Sequence, residues 1–246
     1  DWILAGVASS ESGAVHVFHR EAGGWAQLDV LRPLLATPAF GFTLAAEGDT
    51  LVVGAFLDGR DAPGAGSAHV YTLLGTTWAA ATILTPDDPS ADENFGASVS
   101  LSGDRLVIGA PGDDGVAPDA GALYLFERDA TGWRPASRLA PADLAPRARL
   151  GPARLDGERM IALAGSELLT FELSGGTWSE LERLTRGPFV TDLALAGDVA
   201  VLGLPSADDA AQAGGAVEVF AFDSAPCRSL ATPRPVSWGK QRLEID

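Results

Sequence analysis

The chain has 246 residues, 46% of them hydrophobic, and a formal net charge of −16. That length and apolar content can build a sizeable core, and so acidic a surface repels duplex nucleic acid and anionic lipid, which excludes both as partners. No apolar run is long enough to cross a membrane as a helix, and the single cysteine, Cys227, excludes an internal disulfide.

In chain order, residues 1–8 (DWILAGVA) alternate in the manner of a half-buried strand. Residues 1–30 contain no basic stretch followed by an apolar run, so no signal peptide is expected. With Met160 the only methionine, the chain reads as a processed or trimmed product. A second strand pattern then recurs along the sequence: GAVHVF ending at Phe18, GSAHVY at Tyr71, GALYLF at Phe126, SELLTF at Phe171 and GAVEVF at Phe220. Seven residues after each stands Trp25, Trp78, Trp133, Trp178 and, breaking the series, Cys227. Leu31, Leu84, Leu139 and Leu184 follow at one further constant offset, with Pro233 in the last copy. Constant offsets within a unit and variable spacing between units are the mark of repeats with loop insertions.

Each unit divides into four strands. An aromatic-Gly or similar pair opens it: Phe40-Gly41, Phe95-Gly96, Leu150-Gly151, Phe189-Val190 and Trp238-Gly239. A tight turn follows (EGD, SGD, DGE, AGD), then a second strand (LVVGAF, LVIGAP, MIALAG, AVLGLP), a loop of variable length, and the third and fourth strands. No helical periodicity competes. The expected fold is all-β: a single five-bladed β-propeller domain of four-stranded antiparallel blades. Blade 1 takes residues 238–246 plus 1–36, blade 2 40–86, blade 3 95–142, blade 4 150–186 and blade 5 189–233. DWILAGVA aligns with DRLVIGAP, and the C-terminal WGKQRLEID supplies a first strand. The ring is therefore expected to close by pairing of the C-terminal strand with the N-terminal blade, which removes free edges.

Phe95-Gly96, the Ser-Gly-Asp turn, Gly109-Ala110-Pro111 and a Gly shortly before the strand-four Trp together resemble the FG-GAP repeat family, known from the integrin α propeller. The second copy carries Phe40-Gly41 and Gly54-Ala55. The resemblance implies a bacterial-type adhesion or protein-binding module, secreted or at a cell surface. Two departures stand out: integrin propellers have seven blades, and their Asp-x-Asp-x-Asp-Gly calcium loop between strands one and two is replaced here by the EGD, SGD, DGE and AGD turns.

The strand-four tryptophans read as packing between blades rather than as sugar platforms. Carboxylates gather in the loops after strand two: Asp58 and Asp61, then Asp113, Asp114 and Asp119, then Asp208 and Asp209. These seven are the candidate ligand-binding residues. Their positions read as unmatched between copies, so no cofactor or metal is expected beyond weak calcium binding in these loops. A second acidic run, Asp87, Asp88, Asp92 and Glu93, lies between strand four and the next strand one. By propeller topology both loop sets share one face, which is acidic.

His16, His19 and His69 form no metal triad, and His16 and His69 hold equivalent strand-three positions of ordinary packing. The innermost strands offer Arg154 and, mid-strand, Asp192 alone, whereas a glycosidase needs two carboxylates. No catalytic residue is expected and the chain reads as a non-enzymatic binding or adhesion module. The partner is a protein or a glycan, the alternative being a lectin with sites on or between blades. A lectin would keep one polar and aromatic set in several loops, and these loops diverge, which favours protein.

Overall fold

The computed structural model describes residues 1–185, 190, 192–204, 216–221 and 228–229. Five antiparallel sheets form a five-bladed propeller, with no helix among the described residues. Blade 1 is β1 (Trp2–Val7), β2 (Ala14–Glu21) and β3 (Gly24–Leu31). Blade 2 is β4 (Thr43–Glu47), β5 (Thr50–Ala55), β6 (Ser67–Leu74) and β7 (Thr77–Leu84). Blade 3 follows as β8 (Ser98–Ser102), β9 (Arg105–Ala110), β10 (Ala122–Asp129) and β11 (Gly132–Leu139). Blade 4 is β12 (Ala153–Asp156), β13 (Arg159–Ala164), β14 (Glu167–Ser174) and β15 (Thr177–Thr185), and blade 5 is β16 (Asp192–Ala196), β17 (Val199–Leu204), β18 (Ala216–Ala221) and β19 (Arg228–Ser229). β4, β8, β12 and β16 touch one another in succession and so line the axis. Strand β1 takes the second-strand position that its alignment predicts. Residues 238–246, on which ring closure rests, lie outside the described residues.

The core is distributed between blades. Val15 and Val17 of blade 1 pack with Leu51, Val53, Tyr71 and Trp78 of blade 2. Val52 and Val70, on the opposite face of blade 2, pack with Leu106, Ile108 and Phe126 of blade 3. Two further layers join blades 3 and 4 and blades 4 and 5. Period-two alternation sends successive side chains into different interfaces, so each middle strand serves two cores. The opening aromatics Phe40 and Phe95 are fully buried, edge-on to Tyr71 and to Tyr124 and Phe126.

Glycines set the spacing between blades. A Cβ on Gly6, Gly54 or Gly109 would collide with the carbonyl oxygen of Gly41, Gly96 or Gly151, each in the following blade. The Gly96 and Gly151 carbonyls also accept hydrogen bonds from the hydroxyls of Thr43 (3.0 Å) and Ser98 (2.6 Å), the residues that open the preceding blade's inner strand. At the opposite face the turns are latched in series. Glu47 accepts from the Gly103 N–H at 2.9 Å, Ser102 from that of Gly157 at 2.9 Å, and Asp156 from that of Gly197 at 2.5 Å. The EGD, SGD and DGE turns thus bond blade to blade.

Three of the four tryptophans pack as the repeat predicts. Trp78 is 6% exposed and meets Trp2 of blade 1 edge-on at 6.1 Å. Trp133 and Trp178 are half-buried against the next two layers. Trp25 departs from the pattern at 47% exposed.

Gly109→Ala is expected to destabilise the fold by about 1–3 kcal/mol through overpacking, whereas Gly23→Ala, with open space around it, should leave the thermal midpoint unchanged. Trp78→Ala should cost about 3–5 kcal/mol and Trp25→Ala far less, as read by paired thermal melts.

Candidate binding cavity on the loop face

The loops after strand two and the connections between blades lie on one face, as expected, and are zipped together. In the first zipper the N–H groups of Asp92, Asn94 and Phe95 donate to the carbonyls of Pro63, Gly64 and Ala65 at 2.8–3.0 Å. One blade on, Arg147, Arg149 and Leu150 donate to Pro118, Asp119 and Ala120 at the same distances. Asp92, Asn94, Arg147 and Arg149 hold left-handed backbone (φ 54 to 62°) to make this possible. A rim pinned in this way is rigid enough to present a preformed site.

Two of the predicted site residues are structural. The offset that carries Phe40 onto Phe95 also carries Asp58 onto Asp113, so these carboxylates occupy matching positions, contrary to the sequence reading. Both are buried, at 4% and 3% exposed. Their carbonyls accept the Gly66 and Gly121 N–H groups at 2.9 Å, which closes each loop. Asp58 accepts from Arg60 Nε at 2.7 Å and from the Ser67 hydroxyl at 2.6 Å. Asp113 accepts from Arg138, from the Tyr124 hydroxyl at 2.8 Å and from the Gly115 N–H at 2.8 Å. Burial alone would push the Asp113 carboxyl up, but these donors hold it below the usual carboxylate range. Both acids are internally spent, so neither belongs to an exposed ligand set.

The other five candidates divide. Asp114 is exposed, lines the main cavity and accepts the Asp119 N–H at 2.6 Å. Asp119 itself is half-buried in left-handed backbone, and Asp61 is exposed on the other loop. Asp208 and Asp209 lie outside the described residues. Among the described residues no three His, Cys, Asp or Glu side chains converge in a metal-ligating group.

The main cavity, about 690 Å³, opens in blade 3 between the connection carrying Asp87, Asp88, Ser90 and Glu93 and the loop carrying Asp113 and Asp114. Tyr124, Pro135, Ala136 and Arg138 form its wall. Arg138 crosses the Tyr124 ring at 5.8 Å while bonded to Asp113. Burial raises the Tyr124 hydroxyl far above its ordinary pKa, and acceptance of its proton by Asp113 adds to this. Glu93 is 4% exposed, and burial pushes its carboxyl upward against the opposing hydrogen bond from Ser90. The sequence showed the acids of this cavity but not Tyr124 and Arg138, which belong to strands read only as packing.

Blade 2 has a cavity of about 670 Å³ at the equivalent place, with a different lining: Leu34, Leu35, Arg60, His69, Tyr71 and Ile83. His69 stands where blade 3 has Tyr124, and Ile83 where it has Arg138. Ser67, His69 and Asp58 are neighbours here without forming a catalytic triad. Asp58 bonds the Ser67 hydroxyl directly and lies 4.0 Å from Nε2, the ring nitrogen that also faces Ser67. In a triad the acid holds the opposite nitrogen. Ser67 is also fully buried. On the inner strands, Asp192 opens β16 rather than standing mid-strand, and Arg154 pairs with it at 3.3 Å.

The glycines that touch across blades and the buried phenylalanines before them are the marks of one repeat, and residues 35–71 and 78–126 match the FG-GAP repeat. This propeller carries FG-GAP repeats. The matched segments run from the entry of blade 2 to the third strand of blade 3 and include most of the residues that line both cavities, though not Arg138. No curated protein matches the chain. Among solved structures, Saccharomyces cerevisiae Sqt1 superposes with TM-score 0.57 at 11% identity, over 100% of this chain and 61% of that one. A presumed 6-phosphogluconolactonase of Bacteroides fragilis (BF1038) gives TM-score 0.48 at 9% identity, over 95% of this chain and 81% of that one. The likeness to Sqt1 is one of fold alone.

The buried His69 generates a pH prediction. Burial, assisted by Arg60, lowers its pKa from 6.5 to about 4, so the folded state holds it neutral while the unfolded chain takes up a proton. Its contribution is complete above pH 6.5 and is lost as pH falls towards 4, by at most about 1.4 kcal/mol per unit. Denaturant titrations of the parent and His69→Gln at pH 7 and pH 4.5 should show the parent losing about 2 kcal/mol more than the variant.

Proposed function

We propose that this FG-GAP propeller is a non-enzymatic protein-binding module that engages a basic segment of its partner on the loop face of blade 3. The observation that carries the reading is the main cavity. It is preformed by backbone zippers, rimmed by Asp87, Asp88 and Asp114, and walled by an aromatic ring and short apolar side chains. Fixed loops on a rigid scaffold are where binding specificity resides, and an acidic rim steers and orients a cationic partner. Adhesion and a secreted or cell-surface setting are part of the same proposal and follow from FG-GAP character.

Protein is favoured over glycan by the comparison of the two cavities. Sugar sites repeated from blade to blade would share a lining, and here Tyr124 and Arg138 are matched by His69 and Ile83, while Glu93 has no acidic counterpart in the second cavity. The non-enzymatic part is supported by the pairing of Asp192 with Arg154 and by the inaccessibility of Ser67.

The immobilised propeller should be presented with matched basic, neutral and acidic peptides and with a glycan array. Basic peptides are expected to be retained, with affinity falling as salt rises, and Asp87→Asn with Asp88→Asn should weaken retention by about three- to tenfold. Retention of glycans without retention of any peptide would overturn the reading in favour of a lectin.

A further inference from the structure

Glu93 is a carboxylate at a place the repeat otherwise gives to apolar residues. Two positions before each opening Gly-containing pair's aromatic or leucine stand Pro38, Glu93 and Ala148, entering blades 2, 3 and 4. Ala148 packs against the core of its interface. The fold therefore has no need of an acid here. Yet Glu93 is buried and lines the main cavity, and only Oε1 is engaged, by the Ser90 hydroxyl at 2.8 Å. Oε2 is buried with no hydrogen-bond partner. An acceptor left in that state is unfavourable unless something donates to it.

The surroundings say what the donor is. Asp113 has both oxygens occupied by Arg138, Tyr124 and Gly115, and the Asp113–Arg138 pair cancels its own charge. A hard divalent cation needs several converging oxygens, and no three acid or imidazole side chains converge among the described residues. A nitrogen donor on an aliphatic stem fits better. Its head needs a single strong acceptor, its stem packs on Leu125, Pro135 and Ala136, and the exposed Asp87 and Asp88 at the mouth draw a positive charge inward.

On the proposed reading that this cavity binds a protein partner, we infer that it receives the guanidinium or ammonium group of one Arg or Lys side chain, with Glu93 Oε2 as the acceptor. Glu93 then discriminates between basic and neutral residues at a single anchor position, and the rim acids govern the approach.

The probes are N-acetyl-arginine amide and N-acetyl-lysine amide, with N-acetyl-norleucine amide as the neutral control, titrated calorimetrically and by NMR into the intact chain. At least one cationic probe should bind and norleucine should not. Glu93→Ala and Glu93→Gln should each weaken that binding by about tenfold or more, while Asp61→Asn leaves it unchanged. Glu93→Ala should melt at or above the parent temperature, because Ala148 fills the same position one blade on. Absence of cationic-probe binding, equal binding of norleucine or of a monosaccharide, or affinity indifferent to both Glu93 variants would overturn the inference. The two readings fail separately. Peptide retention that responds to Asp87→Asn and Asp88→Asn but not to Glu93→Gln refutes the anchor alone. Probe binding that requires Glu93, beside a propeller retaining no peptide, refutes the protein-binding reading alone.

Discussion

Close approach of backbone to backbone at glycine is the constraint on which the rest of this propeller depends. Within a blade the N–H of the opening glycine donates to the carbonyl of the second-strand glycine, Gly41 to Gly54 and Gly96 to Gly109, each at 3.1 Å. Between blades the carbonyl of the opening glycine faces a second-strand glycine that has no side chain to hold it away. The result is a string of glycine main chain from blade 1 to the entry of blade 4, bonded inside blades 2 and 3 and in close contact between blades. Side-chain packing outside the string then needs only ordinary residues. Phe40, Phe95 and Leu150 all serve as its buried neighbours.

The interface between blades 4 and 5 tests that account. There the second-strand position holds Leu163, and the opposing opening position holds Val190. Both fall in the same apolar layer, with Leu168, Leu193 and Leu202. Both glycines are absent together, and side-chain contact replaces main-chain contact.

Much of this architecture was legible because it rests on spacing. Constant offsets from Phe18, Tyr71, Phe126, Phe171 and Phe220 placed the third and fourth strands, and alternation placed the second. The state of the loop carboxylates was not legible, since it depends on what comes near from elsewhere. Asp113 is buried because Arg138 and Tyr124 reach it from strands that sequence presents as packing, and Asp58 because Arg60 of its own loop and Ser67 at the start of β6 close on it. Their equivalence was nonetheless available in the offset between Phe40 and Phe95. Glu93 was visible only as one acid in a run of four. Its singularity emerges on setting Pro38 and Ala148 beside it. Trp25 misled because a repeat position does not by itself say what lies against the side chain, and this one stands 47% exposed.

The latches at the other face have a directional character. Glu47, Ser102 and Asp156 differ in length and charge, yet each accepts the turn amide of the blade that follows. The acceptor comes from a side chain and the donor from main chain that every unit possesses. A unit copied in tandem would therefore bring its own means of docking on its twin, without a compensating change on either side. Growth of the array by duplication is open where blades 2 and 3 and blades 3 and 4 meet, whereas between blades 4 and 5 the same latch stands beside the Leu163–Val190 joint, committed to two particular side chains, where a copied unit would not fit.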